Sequence, residues 1–155
     1  MPKTRAKHIE RSFCHEVSAP PDRVFPLLCP VREFEWVPGW SCDLVHSISG
    51  FAELGCVFTR DTPAGRGVWV VCRYEPSSAI AFVITFPSSH VERLRIVLAP
   101  HEGGTRLLWT RSYTALTAEG ETLVEEMAGP AFELHMARLG KALEHFCRTG
   151  TMMGA

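Results

Sequence analysis

Hydrophobic positions along this chain change period twice, and the changes divide it into an N-terminal strand, a helical interruption, a long strand-rich middle and a helical end. Ile9, Phe13 and Val17 share one parity with Arg11 and His15 between them, the period of a half-buried strand. At Ser18-Ala19-Pro20-Pro21-Asp22 the pattern turns helical: a capping hydroxyl stands nearby, the prolines suit a first turn, and an early acid complements the helix dipole. Pro26 lacks an N–H and crowds the carbonyl of Asp22, so this helix, running to Leu28, is expected to be short or kinked. A second short piece, Val31 to Val37, is stopped by Pro38-Gly39.

From Cys42 onward, runs of strand formers alternate with turn residues, and nothing helical intervenes until about residue 117. The pattern predicts strands near Asp43–Ser49, Cys56–Asp61, Gly67–Glu75, Ala79–Phe86, Val91–Ala99 and Thr105–Ala115. Hairpin-length breaks separate them, such as Thr62-Pro63-Ala64-Gly65 and Pro87-Ser88-Ser89. The last segment, Thr117 to Cys147, carries Val124, Met127, Ala128, Ala131, Phe132, Met136, Leu139, Ala142, Leu143 and Phe146, whose spacings of three and four define one face of a long helix. Gly129-Pro130 predicts a bend or a fresh start within it, and Thr149 to Ala155 reads as a frayed tail. A long amphipathic helix cannot bury its stripe alone, and a twisted meander needs a cover on one face, so the helix is expected to lie in the grip of the sheet. The fold class is α+β: a curved antiparallel sheet of about seven strands, two short helices after the first strand, and a long C-terminal helix.

Composition narrows the function classes. At 155 residues the chain suits a single domain, 1–155, with its core at about 8–148. A formal net charge of -1 from 16 basic and 17 acidic residues, evenly spread, leaves no footprint for nucleic acid or an anionic membrane. No apolar run reaches the roughly 18 residues a bilayer crossing requires, and the basic start from Met1 to Lys7 leads into no continuous apolar stretch. A cytoplasmic location is expected. Six cysteines stand at least 13 positions apart with no CxxC, several inside apolar strand patterns, and read as reduced structural residues. There is no phosphate-cradling glycine loop, no GxSxG, no HExxH and no paired zinc cysteines, which disfavours ordinary nucleophilic and nucleotide-dependent enzymes.

Several stretches resemble the SRPBCC, or START-like, superfamily of Bet v 1-like helix-grip proteins, in particular its polyketide cyclase/dehydrase-like branch. They are Ser18–Phe25, Glu33–Trp40, the turn Glu53-Leu54-Gly55-Cys56-Val57-Phe58, Trp69-Val70-Val71 with Tyr74-Glu75-Pro76, and Gly104-Thr105-Arg106-Leu107. The order of elements agrees over nearly the whole chain, from about residue 8 to 148. The resemblance implies a curved sheet and long helix enclosing an apolar pocket. It also implies a choice of roles: lipid or metabolite carriage, aromatic polyketide cyclisation or dehydration, or chaperone-like assistance.

Parity nominates the residues lining such a pocket. Leu94, Ile96 and Leu98 look inward and bring His90 and Glu92 to the same face, with Arg93 and Arg95 in solvent. Leu107, Trp109 and Tyr113 share a face with Arg111, leaving Thr110, Ser112 and Thr114 on the wet side. Glu92 and Arg111 are then able to meet inside or at the wet rim, and an inside pair is costly to desolvate unless ligand or water completes it. Phe132, His135, Met136 and Leu139 come from the helix stripe. His135 on that stripe is a candidate hydrogen-bond donor or acid–base group, with Glu92 and Tyr113 as the other catalytic candidates. His15 raises the same question more weakly. Trp36 and Trp40 flank Pro38-Gly39 and either gate the pocket or anchor the helical piece to the sheet. On the fourth strand Tyr74 and Cys72 oppose Trp69, so only one set is expected inside. His90 and Glu92 form a single HxE pattern, too slight to predict a metal; no metal and no cofactor is expected.

The preferred function is therefore binding of a small hydrophobic or amphipathic molecule between sheet and C-terminal helix. A polyketide cyclase/dehydratase-like enzyme and a co-chaperone-like interaction module are the alternatives. The partner is that small molecule, not nucleic acid, with a homodimer left open.

Overall fold

The structure, a computed structural model, describes residues 6–154. β1 (His8–Val17) leads into three short turns of helix: α1 (Pro21–Val24), a 3-10 turn (Phe25–Leu28) and α2 (Pro30–Glu33). Six strands follow, β2 (Asp43–His46), β3 (Val57–Thr62), β4 (Gly65–Glu75), β5 (Ala79–Phe86), β6 (His90–His101) and β7 (Gly104–Ala115). Two helices close the chain, α3 (Ala118–Ala128) and α4 (Pro130–Thr149). The sheet is antiparallel throughout in the order β1-β7-β6-β5-β4-β3-β2, so the first strand pairs with the last and β1 and β2 are its edges. This is the helix-grip arrangement expected from the pattern of the sequence.

The local chemistry explains the boundaries. Prolines start α1 and α2 at their first turns, where a missing N–H costs nothing. The expected hydroxyl cap is absent: Pro20 occupies the cap, and the Ser18 hydroxyl instead donates to Glu144 of α4 at 2.8 Å, tying the end of β1 to the long helix. The second piece is helical only to Glu33, but the Val37 N–H still donates to the Glu33 carbonyl at 2.9 Å, so the turn persists to Pro38. β2 ends at His46 instead of reaching Ser49, because the Glu53 carboxylate gathers the N–H groups of Ile48 and Ser49 and holds the chain in a loop. Those bonds, led by the Ser49 hydroxyl, hold the Glu53 carboxyl down to about 2. β4 takes up Gly65, which the sequence pattern had placed in the preceding turn.

Gly129-Pro130 does separate two helices, as expected. The Thr117 side chain accepts from the Gly120 N–H at 3.2 Å to cap α3, and Gly150, with φ of 72°, ends α4 in the left-handed conformation. Beyond it, Met153 packs against the core, so that part of the tail is not loose; Met1–Arg5 and Ala155 lie outside the described residues. Arg11 of β1 fastens the break. Its guanidinium donates to the carbonyls of Met127 at 2.7 Å and Gly129 at 3.3 Å, and sits 4.8 Å from the centre of the Phe132 ring. A cation on the last carbonyls of a helix is favourable on both hydrogen-bond and dipole grounds. Arg11→Met is therefore expected to lower stability by about 1–2 kcal/mol, read from the shift in urea midpoint at unchanged slope.

One face of the sheet is the core side, and parity assigns it as expected on β6: His90, Glu92, Leu94, Ile96 and Leu98 are buried and Arg93 and Arg95 exposed. β4 departs from simple parity. Its register with β5 shifts between Val71 and Arg73, a bulge that turns the strand over, so Trp69 and Tyr74 both reach the core side while Cys72 is exposed. On the opposite face Thr110 and Ser112 are buried, contrary to the wet side expected of them. Their neighbours in register are Arg95, Arg93 and Glu10, whose long side chains line the same surface hollow. No helix is long and apolar enough to cross a membrane among the described residues.

Candidate functional site

Between the core side of the sheet and the helices lies a cavity of about 500 Å³. Phe58, Trp69, Phe82, Phe86, Leu94, Ile96 and Trp109 form its sheet wall; Leu123 and Met127 of α3 and His135 and Leu139 of α4 form the facing wall. Trp36 to Pro38, Trp40 and the turn Thr62 to Ala64 complete it. Its lining is mostly apolar.

Nine of the residues nominated from the sequence line this cavity: Trp36, Trp40, Glu92, Leu94, Ile96, Trp109, Arg111, His135 and Leu139. The others are placed elsewhere. Tyr74 packs edge-on with the Phe25 ring, 5.3 Å between centres, and lines a small separate cleft by Ala52, because the bulge rotates it toward the 3-10 turn. Phe132 and Met136 are fully buried against the sheet, and His90 and Tyr113 are covered by their neighbours. The two tryptophans divide the question put to them. Trp36 is completely buried and donates to the Leu27 carbonyl at 2.7 Å, an anchor; Trp40 is half-buried, donates to the Pro30 carbonyl at 2.9 Å, and carries the Arg60 guanidinium 3.8 Å over its ring.

Two polar wall residues escaped the sequence reading. Glu33 enters through α2, one helical turn before Trp36, and Arg60 shares its parity on β3 with the buried Phe58. Those spacings were the available signals. Burial pushes the Glu33 carboxyl up to about 8, although Arg60 and Arg111 pull it the other way. Its folded form therefore prefers the neutral acid. Stability from this group is complete below the ordinary value of 4.5 and is lost as pH rises through about 8. Glu33→Gln should remove that dependence, so the stability of the wild type relative to the variant should fall across this window; parallel stability curves would refute the assignment.

Glu92 is at the centre of the polar wall. Its carboxylate meets His90 Nε2 at 2.9 Å, and His90 Nδ1 meets the Ser89 hydroxyl at 2.7 Å. On the other side Arg111 Nη1 stands 3.7 Å away, beyond hydrogen-bond reach. Both side chains are only 12% exposed, which puts the pair in the cavity wall and not at a wet rim. Among the described residues, no cluster of three or more His, Cys, Asp or Glu groups is arranged to hold a metal. His135 is accessible, but at the cavity wall; restricted solvation, with Arg111 adding to it, presses its pKa down to about 4, so the imidazole is neutral at pH 7. His15 is placed outside this cavity, with one ring nitrogen engaged. It accepts the Trp109 Nε1 hydrogen at 2.8 Å, burial lowers its pKa, and Gly140 of α4 fits against its ring.

Comparison with known proteins puts this geometry in context. The model of the family described as polyketide cyclase / dehydrase and lipid transport matches residues 7–144. No curated protein sequence matches. Among solved structures, the fold is similar to MLL2253 from Mesorhizobium loti, at 15% identity and a TM-score of 0.66 over 91% of this chain and 98% of that one. It is also similar to Ara h 8.0201, at 12% identity and 0.65 over 92% and 99%. A third likeness is DynU16, a protein of the dynemicin biosynthetic locus, at 18% identity and 0.61 over 92% of this chain and 48% of that one.

Proposed function

We infer that this chain, which belongs to the polyketide cyclase/dehydrase and lipid transport family and has the Bet v 1-like fold, binds a small amphipathic molecule in the cavity between sheet and C-terminal helices. The observation that carries the reading is the 500 Å³ space itself, walled by aromatic and aliphatic side chains at a place where the same residues would otherwise have packed together. Proteins fill their interiors closely, so an open space of this size with apolar walls suits an apolar guest. The apolar walls take up the body of the molecule; Arg111, Glu92, His135, Glu33 and Arg60 orient its polar end. Native mass spectrometry of protein purified from its own host should show a bound small molecule of defined mass. A bare chain in every preparation would count against the reading.

A second reading is favoured by one particular juxtaposition: a neutral imidazole, a protonated carboxyl and a guanidinium face one apolar cavity. His135 can take a proton from a carbon acidified by a neighbouring carbonyl, while Arg111 supports the negative charge that develops on the carbonyl oxygen. Cyclisation and dehydration of polyketide-like compounds both need that enolisation. Benzoylacetone in deuterated buffer is a simple test. Catalysed exchange of its methylene protons, lost in His135→Gln, would support the enzyme; exchange at the buffer rate with wild-type protein would remove it.

A further inference from the structure

The polar wall of the cavity is chemically lopsided, and the imbalance specifies the ligand more closely. Arg111 has five N–H donors, yet its nearest carboxylate oxygen is 3.7 Å away and its Nε is buried without a partner. The Glu92 carboxylate already has its short contact, with His90 at 2.9 Å. Trp69 Nε1, on the sheet wall of the same cavity, is likewise buried without an acceptor. Arg60 is the second guanidinium, and among the described residues it has no ion-pair partner; its Nε donates to the Ser41 carbonyl at 2.9 Å. Neither guanidinium of the wall is thus hydrogen-bonded to a carboxylate, and the carboxyl group nearest Arg111 is already engaged by His90.

Charge follows the same direction. The titratable groups facing the cavity are Glu33 from α2, Arg60 from β3, Glu92 from β6, Arg111 from β7 and His135 from α4. With Glu33 pushed up to about 8 by burial and His135 pressed down to about 4, both are neutral at pH 7. Two guanidinium groups then share the wall with the Glu92 side chain, which His90 already holds. A buried guanidinium lacking its hydrogen bonds is costly, and the partner that suits its planar fork is a carboxylate.

We propose that the ligand is a carboxylic acid on an apolar, ring-sized body, its carboxylate docked on the Arg111 guanidinium inside the cavity. The inference rests on the cavity being a ligand site, and adds that the site selects for an anion.

A matched pair of probes, 2-naphthoic acid and 2-naphthamide, separates the two levels by titration calorimetry at pH 7. The acid is expected to bind the wild type about ten to a hundred times more tightly than the amide, the difference a charge-assisted hydrogen bond supplies. Arg111→Met should abolish that preference while leaving amide binding in place. Because this variant strands Glu92, the double variant Glu92→Gln/Arg111→Met, which leaves neither charge unpaired, serves as the second test and should also lose the preference. The preference should weaken above pH 8 in the wild type, where Glu33 ionises, but persist in Glu33→Gln. Equal binding of acid and amide to the wild type, or a preference that survives both Arg111 variants, would overturn the proposal while sparing the cavity. Binding of neither probe would overturn the cavity reading and this inference with it.

Discussion

Trp36→Ala is expected to destabilise the protein by about 3–5 kcal/mol, the range for deleting a buried large aromatic side chain. The ring is completely buried, and its N–H is the partner of the Leu27 carbonyl at 2.7 Å. Short helices such as α1 and α2 have almost no stability of their own; what fixes them is the side chain they bury. Removing the indole therefore takes away apolar burial and leaves a buried carbonyl without its donor. It also merges the vacated space with the adjoining cavity, which makes collapse harder. Trp36→Phe keeps most of the bulk and forfeits the hydrogen bond, so it should fall between. Trp40→Ala should cost clearly less, since Trp40 is half-buried, and should act on ligand access instead. Equilibrium urea unfolding of the three variants checks the order; Trp40→Ala proving costlier than Trp36→Ala would reverse the assignment of anchor and mouth.

The second large effect is expected at Gly120. A Cβ there would lie 1.8 Å from the Ser89 carbonyl oxygen, and that backbone is already committed: it accepts from the N–H groups of Leu116 at 2.8 Å and Thr117 at 3.3 Å. Neither atom can move aside as a flexible side chain would. Gly120→Ala must lift the first turn of α3 off the β5–β6 turn, at a cost of about 3 kcal/mol, toward the upper end for overpacking. Because α3 brings Leu123 and Met127 to the cavity, ligand affinity should fall together with stability. Gly129→Ala is the control, since its Cβ would meet nothing closer than the Glu126 oxygen at 3.4 Å. A thermal midpoint for Gly120→Ala as high as that of Gly129→Ala would show that the close approach is not real.

Much of the fold was legible because period and punctuation agree over long stretches. The alternation of Leu94, Ile96 and Leu98 against Arg93 and Arg95 sets β6, and Gly129-Pro130 marks the break between α3 and α4. The candidate site was less legible, for three physical reasons. Parity counting assumes an unbroken pleat, and the bulge at Val71/Arg73 brings Tyr74 to the same side as Trp69 but points it into another cleft. The stripe of a helix names what is buried without saying what is left uncovered, so Phe132 and Met136 are core while His135 and Leu139 face the cavity. Finally, charged residues such as Glu33 and Arg60 look like surface in a sequence. Only the placement of α2 over the sheet shows that they face inward.

The central claim is that the space between sheet and helices receives a small molecule. The most direct measurement is fluorescence titration with 8-anilinonaphthalene-1-sulfonate of the wild type and of Leu139→Trp, which fills the cavity from α4. One saturable site is expected in the wild type, lost in Leu139→Trp although the variant unfolds as cooperatively as the parent. Absence of a saturable site, or equal binding by the filled variant, would contradict it.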